Sequence, residues 1–106
     1  MASDERSRLY SEFMARTSRK TPVELAPAPW PEAPSPDPIG EVGRQIAIRL
    51  RAAIGTRTLR AVASSIGMNH STLVGILDGT SWPDAETLAR LEHGLGVDIW
   101  PGRPGK

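Results

Sequence analysis

Seven prolines, Pro22, Pro27, Pro29, Pro31, Pro34, Pro36 and Pro38, fall within 17 residues of a 106-residue chain. Proline fixes φ at about −65° and has no amide hydrogen to donate, so this density excludes helix and sheet from the stretch. The spacing predicts an extended, semi-rigid polyproline-like linker over residues 22–38. The chain then divides into an N-terminal segment 1–21, that linker, a folded domain 39–102 and a flexible tail 103–106. A domain of this size lies near the lower limit of independent stability. There is no cysteine, so neither a disulfide nor a thiolate metal site supplements its core.

Periodicity supplies the elements. In residues 3–20, Leu9, Tyr10, Phe13 and Met14 recur at helical spacing beside Arg6, Arg16 and Arg19, which predicts a short N-terminal helix. From Gly40, the residues Val42, Ile46, Leu50 and Ala53 share one helix face, with Arg44 and Arg51 projecting from the other side and Gly55 as a stop. Thr58 is the expected N-cap of a second helix with Leu59, Val62, Ala63 and Ile66 inward. Asn69 or His70 opens a third, closed by Asp78-Gly79, in which Leu73, Ile76 and Leu77 face the core. Ser81-Trp82-Pro83-Asp84 has capping-box spacing before a fourth helix carrying Leu88, Leu91 and Leu95. Val97, Ile99 and Trp100 are expected to fold back as an apolar clasp. The fold class is therefore all-α, a compact four- to five-helix bundle.

The most restrictive stretch runs from Leu59 to Leu77. Two helices that cross steeply through a three- to four-residue turn need a small residue at their contact, here Ala63, and a residue tolerant of positive φ at the corner, here Gly67. Val62, Ile66, Met68, Leu73 and Ile76 fill the angle. Asn69, His70, Ser71, Val74, Gly75 and Asp78 remain on the outer face of the second of these helices, the face a DNA major groove receives.

On these residues the chain resembles the phage repressor and Cro type (XRE-like) family of helix-turn-helix regulators, over about Gly40 to Pro101. The match takes in the Ala63 and Gly67 spacing, the short helix ending in Leu77-Asp78-Gly79, and the Trp82-Pro83-Asp84…Thr87-Leu88…Leu91 segment. The resemblance implies a DNA-binding transcriptional regulator, a phage or bacterial repressor, with Val62, Ala63, Ile66, Gly67, Leu73 and Ile76 as the structural core of the motif. It implies base reading by Asn69, His70, Ser71 and Val74. Thr58, Arg60 and Thr72 would sit near phosphates, with Arg44, Arg49 and Arg57 adding phosphate neutralisation. The recognition helix has no Lys or Arg, so base reading falls to amide, imidazole and apolar contacts: Asn to adenine, Val74 to a thymine methyl.

The net charge of +1 announces no partner by itself, so the electrostatic case rests on where the eleven arginines stand. No apolar run approaches the roughly 20 residues that span a bilayer, and Asp4, Glu5, Arg6 and Arg8 interrupt any signal-peptide pattern. The expectations are no membrane partner and a cytoplasmic location, nucleoid-associated or in the host cytoplasm if phage-encoded. His70, Ser71 and Asp78 lie too close on one short helix to form a catalytic triad. Neither His70 nor His93 has a partner at metal-ligand spacing, so the expectation is neither an enzyme nor a metal or cofactor protein. His93 suits the negative end of the fourth helix.

Trp82 and Trp100 read as core-edge aromatics, whereas Trp30, among prolines, is left between docking and exposure. Partners beyond an operator are a second copy, with Ile48, Ile99 and Trp100 as contact candidates, and a protein engaged by the N-terminal segment. The competing readings are a DNA-binding antitoxin and a protein-interaction adaptor on the same fold.

Overall fold

The computed structural model describes residues 6–9 and 20–105. Every regular element among them is helical, and the fold is an all-α bundle. A 3-10 turn, Pro22–Leu25, precedes four α-helices: α1 (Pro38–Ile54), α2 (Leu59–Ser65), α3 (His70–Asp78) and α4 (Ala85–Leu95). Residues 6–9 form one helical turn. The rest of the helix expected over 3–20 lies outside the described residues up to Lys20.

Local chemistry sets the ends of α1. The Asp37 carboxylate accepts from the amides of Ile39 and Gly40, at 2.8 and 3.1 Å, satisfying two of the orphan donors of a first turn. Pro38 follows at a position that needs no amide hydrogen. At the other end the Arg57 guanidinium donates to the carbonyls of Ala53 (2.9 Å) and Ile54 (3.3 Å), setting a cation at the negative end of the helix.

The α1 stripe Val42, Ile46, Leu50 and Ile54 is the floor of the core, joined by Val62, Ala63, Leu73, Ile76, Leu91 and Ile99. Full burial of each large aliphatic side chain stabilises the fold by about 1.5–3 kcal/mol. The capping-box expectation at Ser81 is displaced by three residues. Asp84 is itself the N-cap of α4, accepting from the Thr87 amide at 2.8 Å. A residue before proline is disfavoured in helical backbone, so Pro83 keeps Trp82 out of the helix, which starts at Ala85.

One of the three clasp residues is buried as expected. Ile99 is in the core, while Val97 and Trp100 remain 42% and 46% exposed. The segment is tied down by Glu92, whose carboxylate accepts from the amides of Ile99 (2.8 Å) and Trp100 (2.9 Å). These backbone bonds, Trp100 first, hold its carboxyl below the ordinary range.

The larger correction concerns residues 22–38, where the proline density predicts no helix and a 3-10 turn occupies Pro22–Leu25. The proline-rich stretch is a strap packed along the bundle, not a linker, and the folded unit within the described residues begins at Lys20. Pro22 and Pro31 are buried. The Trp82 indole donates to the Lys20 carbonyl at 2.8 Å, and the Ser35 hydroxyl donates to the Leu25 carbonyl at 2.5 Å. A Cβ placed at Gly43 would stand 2.7 Å from Pro22 Cβ, so only glycine lets α1 approach the strap there. Proline forbids repeating backbone hydrogen bonds, but its rings bury apolar surface and its carbonyls still accept.

Candidate nucleic-acid interface

The corner between α2 and α3 has the expected geometry. The Thr58 hydroxyl accepts from the Ala61 amide at 3.1 Å and caps α2. Gly67 stands at φ 65° with open space where a Cβ would lie, and the Met68 amide returns to the Ala63 carbonyl at 2.8 Å. Val62, Ala63, Leu73 and Ile76 are buried at the contact, with Ile66 and Met68 packed against it as partly buried neighbours.

Burying Leu73 and Ile76, with Leu77 packed partly against the core, turns the opposite side of α3 outward. Asn69, Ser71 and Asp78 are exposed; His70, Thr72 and Val74 are half-buried. Asn69 occupies the N-cap position, yet its side chain caps nothing. No side chain of Asn69, His70, Ser71, Thr72 or Arg60 makes a hydrogen bond among the described residues. The result is a row of unspent donors and acceptors on one end of a short helix. Gly75, placed on the same outer face by sequence, is covered by the Ser81 side chain.

The arginines fall into two groups. Arg60 is exposed in the first turn of α2, beside the Thr58 cap. Arg57 is exposed but closes the end of α1. Arg49 donates to the Trp100 carbonyl at 3.5 Å and belongs to the C-terminal segment. Arg44, expected to meet phosphate, is 8% exposed and is withdrawn from that set. Its guanidinium donates to the Glu41 carboxylate (Nε 2.8 Å, Nη2 2.6 Å) and to the Pro31 carbonyl (2.9 Å).

The strap covers the face of α1 that periodicity left in solvent, and Arg44 is spent on holding it. The Arg44 hydrogen bonds, with those from Gln45 and the Ser35 amide, bring the Glu41 carboxyl down to about 2. Glu41 in turn raises the Arg44 pKa.

Sequence reasoning missed the other end of α3. The Trp30 indole N–H donates to the Leu77 carbonyl at 2.8 Å, the Val23 amide donates to the Gly79 carbonyl at 2.9 Å, and the Trp30 ring lies against Gly79. A tryptophan isolated among prolines was the available signal, but nothing local says where it docks.

Comparison of the chain with protein-family models, with curated proteins and with solved structures finds no match in any of the three. Among the described residues no helix is long and apolar enough to cross a membrane.

Proposed function

We propose that the chain is a sequence-specific, double-stranded-DNA-binding transcriptional regulator, of the repressor kind, that reads the major groove with α3. The observation that supports this most is the outward end of α3, where the side chains of Asn69, His70 and Ser71 make no hydrogen bond among the described residues and stand on a helix braced by α2 through the Gly67 corner. In this reading Asn69, His70, Ser71 and Val74 meet base edges and the thymine methyl. Thr58, Arg60 and Thr72 bind flanking phosphates, and Arg57 adds charge nearby. Two copies bind paired half-sites about one helical turn apart, in the cytoplasm on the nucleoid.

The test is selection of bound sequences from a random duplex pool, followed by salt titration of wild type, His70→Ala and Arg60→Ala on the selected site. The expected result is a steep salt slope, with His70→Ala flattening sequence preference by about tenfold and Arg60→Ala weakening all duplexes alike with a slope lower by about one. Failure of the folded protein to enrich any duplex at physiological salt would overturn the reading and favour a protein partner on the same face.

A further inference from the structure

An α-helix leaves its last four carbonyls without partners inside the helix, and α3 obtains those partners unusually. Gly75 and Ile76 are served locally. The amides of Thr80 and Ser81 donate to the Gly75 carbonyl at 3.0 and 3.2 Å, and the Gly79 amide donates to the Ile76 carbonyl at 3.2 Å. The Leu77 carbonyl is served from 47 residues away by the Trp30 indole. Two residues on, just past the helix, the Gly79 carbonyl takes the Val23 amide at 2.9 Å. Gly79 itself adopts φ 72°, and a Cβ there would lie 2.6 Å from the Trp30 ring. The ring is thus seated on the turn that ends α3.

Trp30 is held in its turn from α1. Pro31, the next residue, gives its carbonyl to Arg44, and Arg44 is clasped by Glu41. A continuous path of hydrogen bonds and one shared backbone step therefore runs from α1 through the strap to the C-terminal end of α3. Short helices of this length are marginal alone, so their orientation is set by what fixes their ends.

We infer that Trp30 is a positioning residue for DNA reading: seated on the C-terminal turn of α3, it fixes the pitch at which His70, Ser71 and Val74 meet the base pairs. The inference rests on the DNA-reading role proposed above. The strap is then part of the reading unit, although Trp30 itself touches no base. A helix loosened at one end still brings its cations to phosphate, but it samples several pitches, and the geometric discrimination of hydrogen bonds to base edges falls.

The test uses the full chain as wild type, Trp30→Ala and Trp30→Phe. The phenylalanine variant keeps a ring on Gly79 and lacks the indole donor. Two quantities are read: the ratio of affinity for the selected duplex to that for a scrambled one, with its salt slope, and backbone amide exchange. The expected result is that Trp30→Ala lowers the affinity ratio by about tenfold with an unchanged salt slope. Exchange at Gly79, Thr80 and Ser81 should rise by about tenfold while Leu88 and Ile99 change far less. Trp30→Phe should fall between wild type and alanine.

A folded Trp30→Ala protein that keeps its affinity ratio within about twofold, or whose exchange rises uniformly, overturns the inference and leaves a purely stabilising tryptophan. If the alanine variant does not fold, the same comparison is made with Trp30→Phe. A wild-type protein with no duplex preference overturns the proposed function instead, and the exchange measurement still decides whether Trp30 holds α3.

Discussion

Two glycines with nearly the same backbone angle occupy unlike surroundings. Gly67 and Gly79 stand at φ 65° and 72°, where a side chain costs about 1–2 kcal/mol. At Gly67 that is the whole cost, since nothing lies within 4 Å of the added atom; at Gly79 the Trp30 ring must also move. Gly67→Ala is expected to destabilise by about 1 kcal/mol and Gly79→Ala by at least about 3 kcal/mol, compared by urea denaturation. Equal losses would mean that the ring is not seated on the turn.

Glu41 makes a second residue-scale statement. Its carboxyl is lowered from 4.5 to about 2 in the folded protein, so the folded state binds fewer protons there than the unfolded chain between those values. The stabilisation is therefore complete above about pH 4.5 and lost as pH falls towards about 2. Glu41→Gln should lower stability at neutral pH by about 3 kcal/mol, because the Arg44 charge is left buried without its partner. The variant should also flatten the acid limb of a plot of melting temperature against pH. Asp84 and Glu92, lowered by backbone hydrogen bonds, act with the same sign and remain in both proteins, so the difference between the two plots belongs to Glu41.

Among α1 to α4, α2 is the shortest, with seven residues, and depends most on its cap. Thr58→Ala removes the acceptor for the Ala61 amide and is expected to cost about 1 kcal/mol, recovered by Thr58→Ser. The same dependence explains why the helices were legible in the sequence. Caps, the 3.6-residue stripe of Val42, Ile46 and Leu50, and the Ala63–Gly67 spacing all act within a few residues of themselves. The outward end of α3 was legible for the same reason: once Leu73 and Ile76 are inward, geometry leaves Asn69, His70 and Ser71 outward. Arg44 was misread because the covering of its face comes from Pro31, which periodicity in α1 cannot report. The start of α4 slipped because Ser81 and Asp84 both satisfy a capping pattern, and only Pro83, which keeps Trp82 out of the helix, decides between them.

At the scale of the whole molecule, the strap changes what counts as the folded unit. A core built on α1 to α4 alone would come from fewer than 70 residues, a size at which single cores contribute only a few kcal/mol. The strap adds buried Pro22 and Pro31, the Trp30 ring on Gly79, and partners for Arg44 and Leu77, and Lys20 just before it gives its carbonyl to Trp82. Removing residues 1–37 would expose Gly40 and Gly43, now buried, and would leave the Arg44 guanidinium with Glu41 alone. It would also take away Asp37, the cap of α1.

A fair comparison therefore starts the short chain at Asp37 and measures residues 37–106 against the full protein by thermal unfolding. If residues 1–36 contributed no packing to the domain, the two would melt together. The packed strap predicts a loss of at least about 3 kcal/mol. For a domain of this size that is a large fraction of total stability, and it lowers the melting temperature by more than about 12 °C. Adding residues 20–36 back as a separate peptide should recover part of the loss in a concentration-dependent way, because a ligand that binds only the folded state stabilises it by mass action.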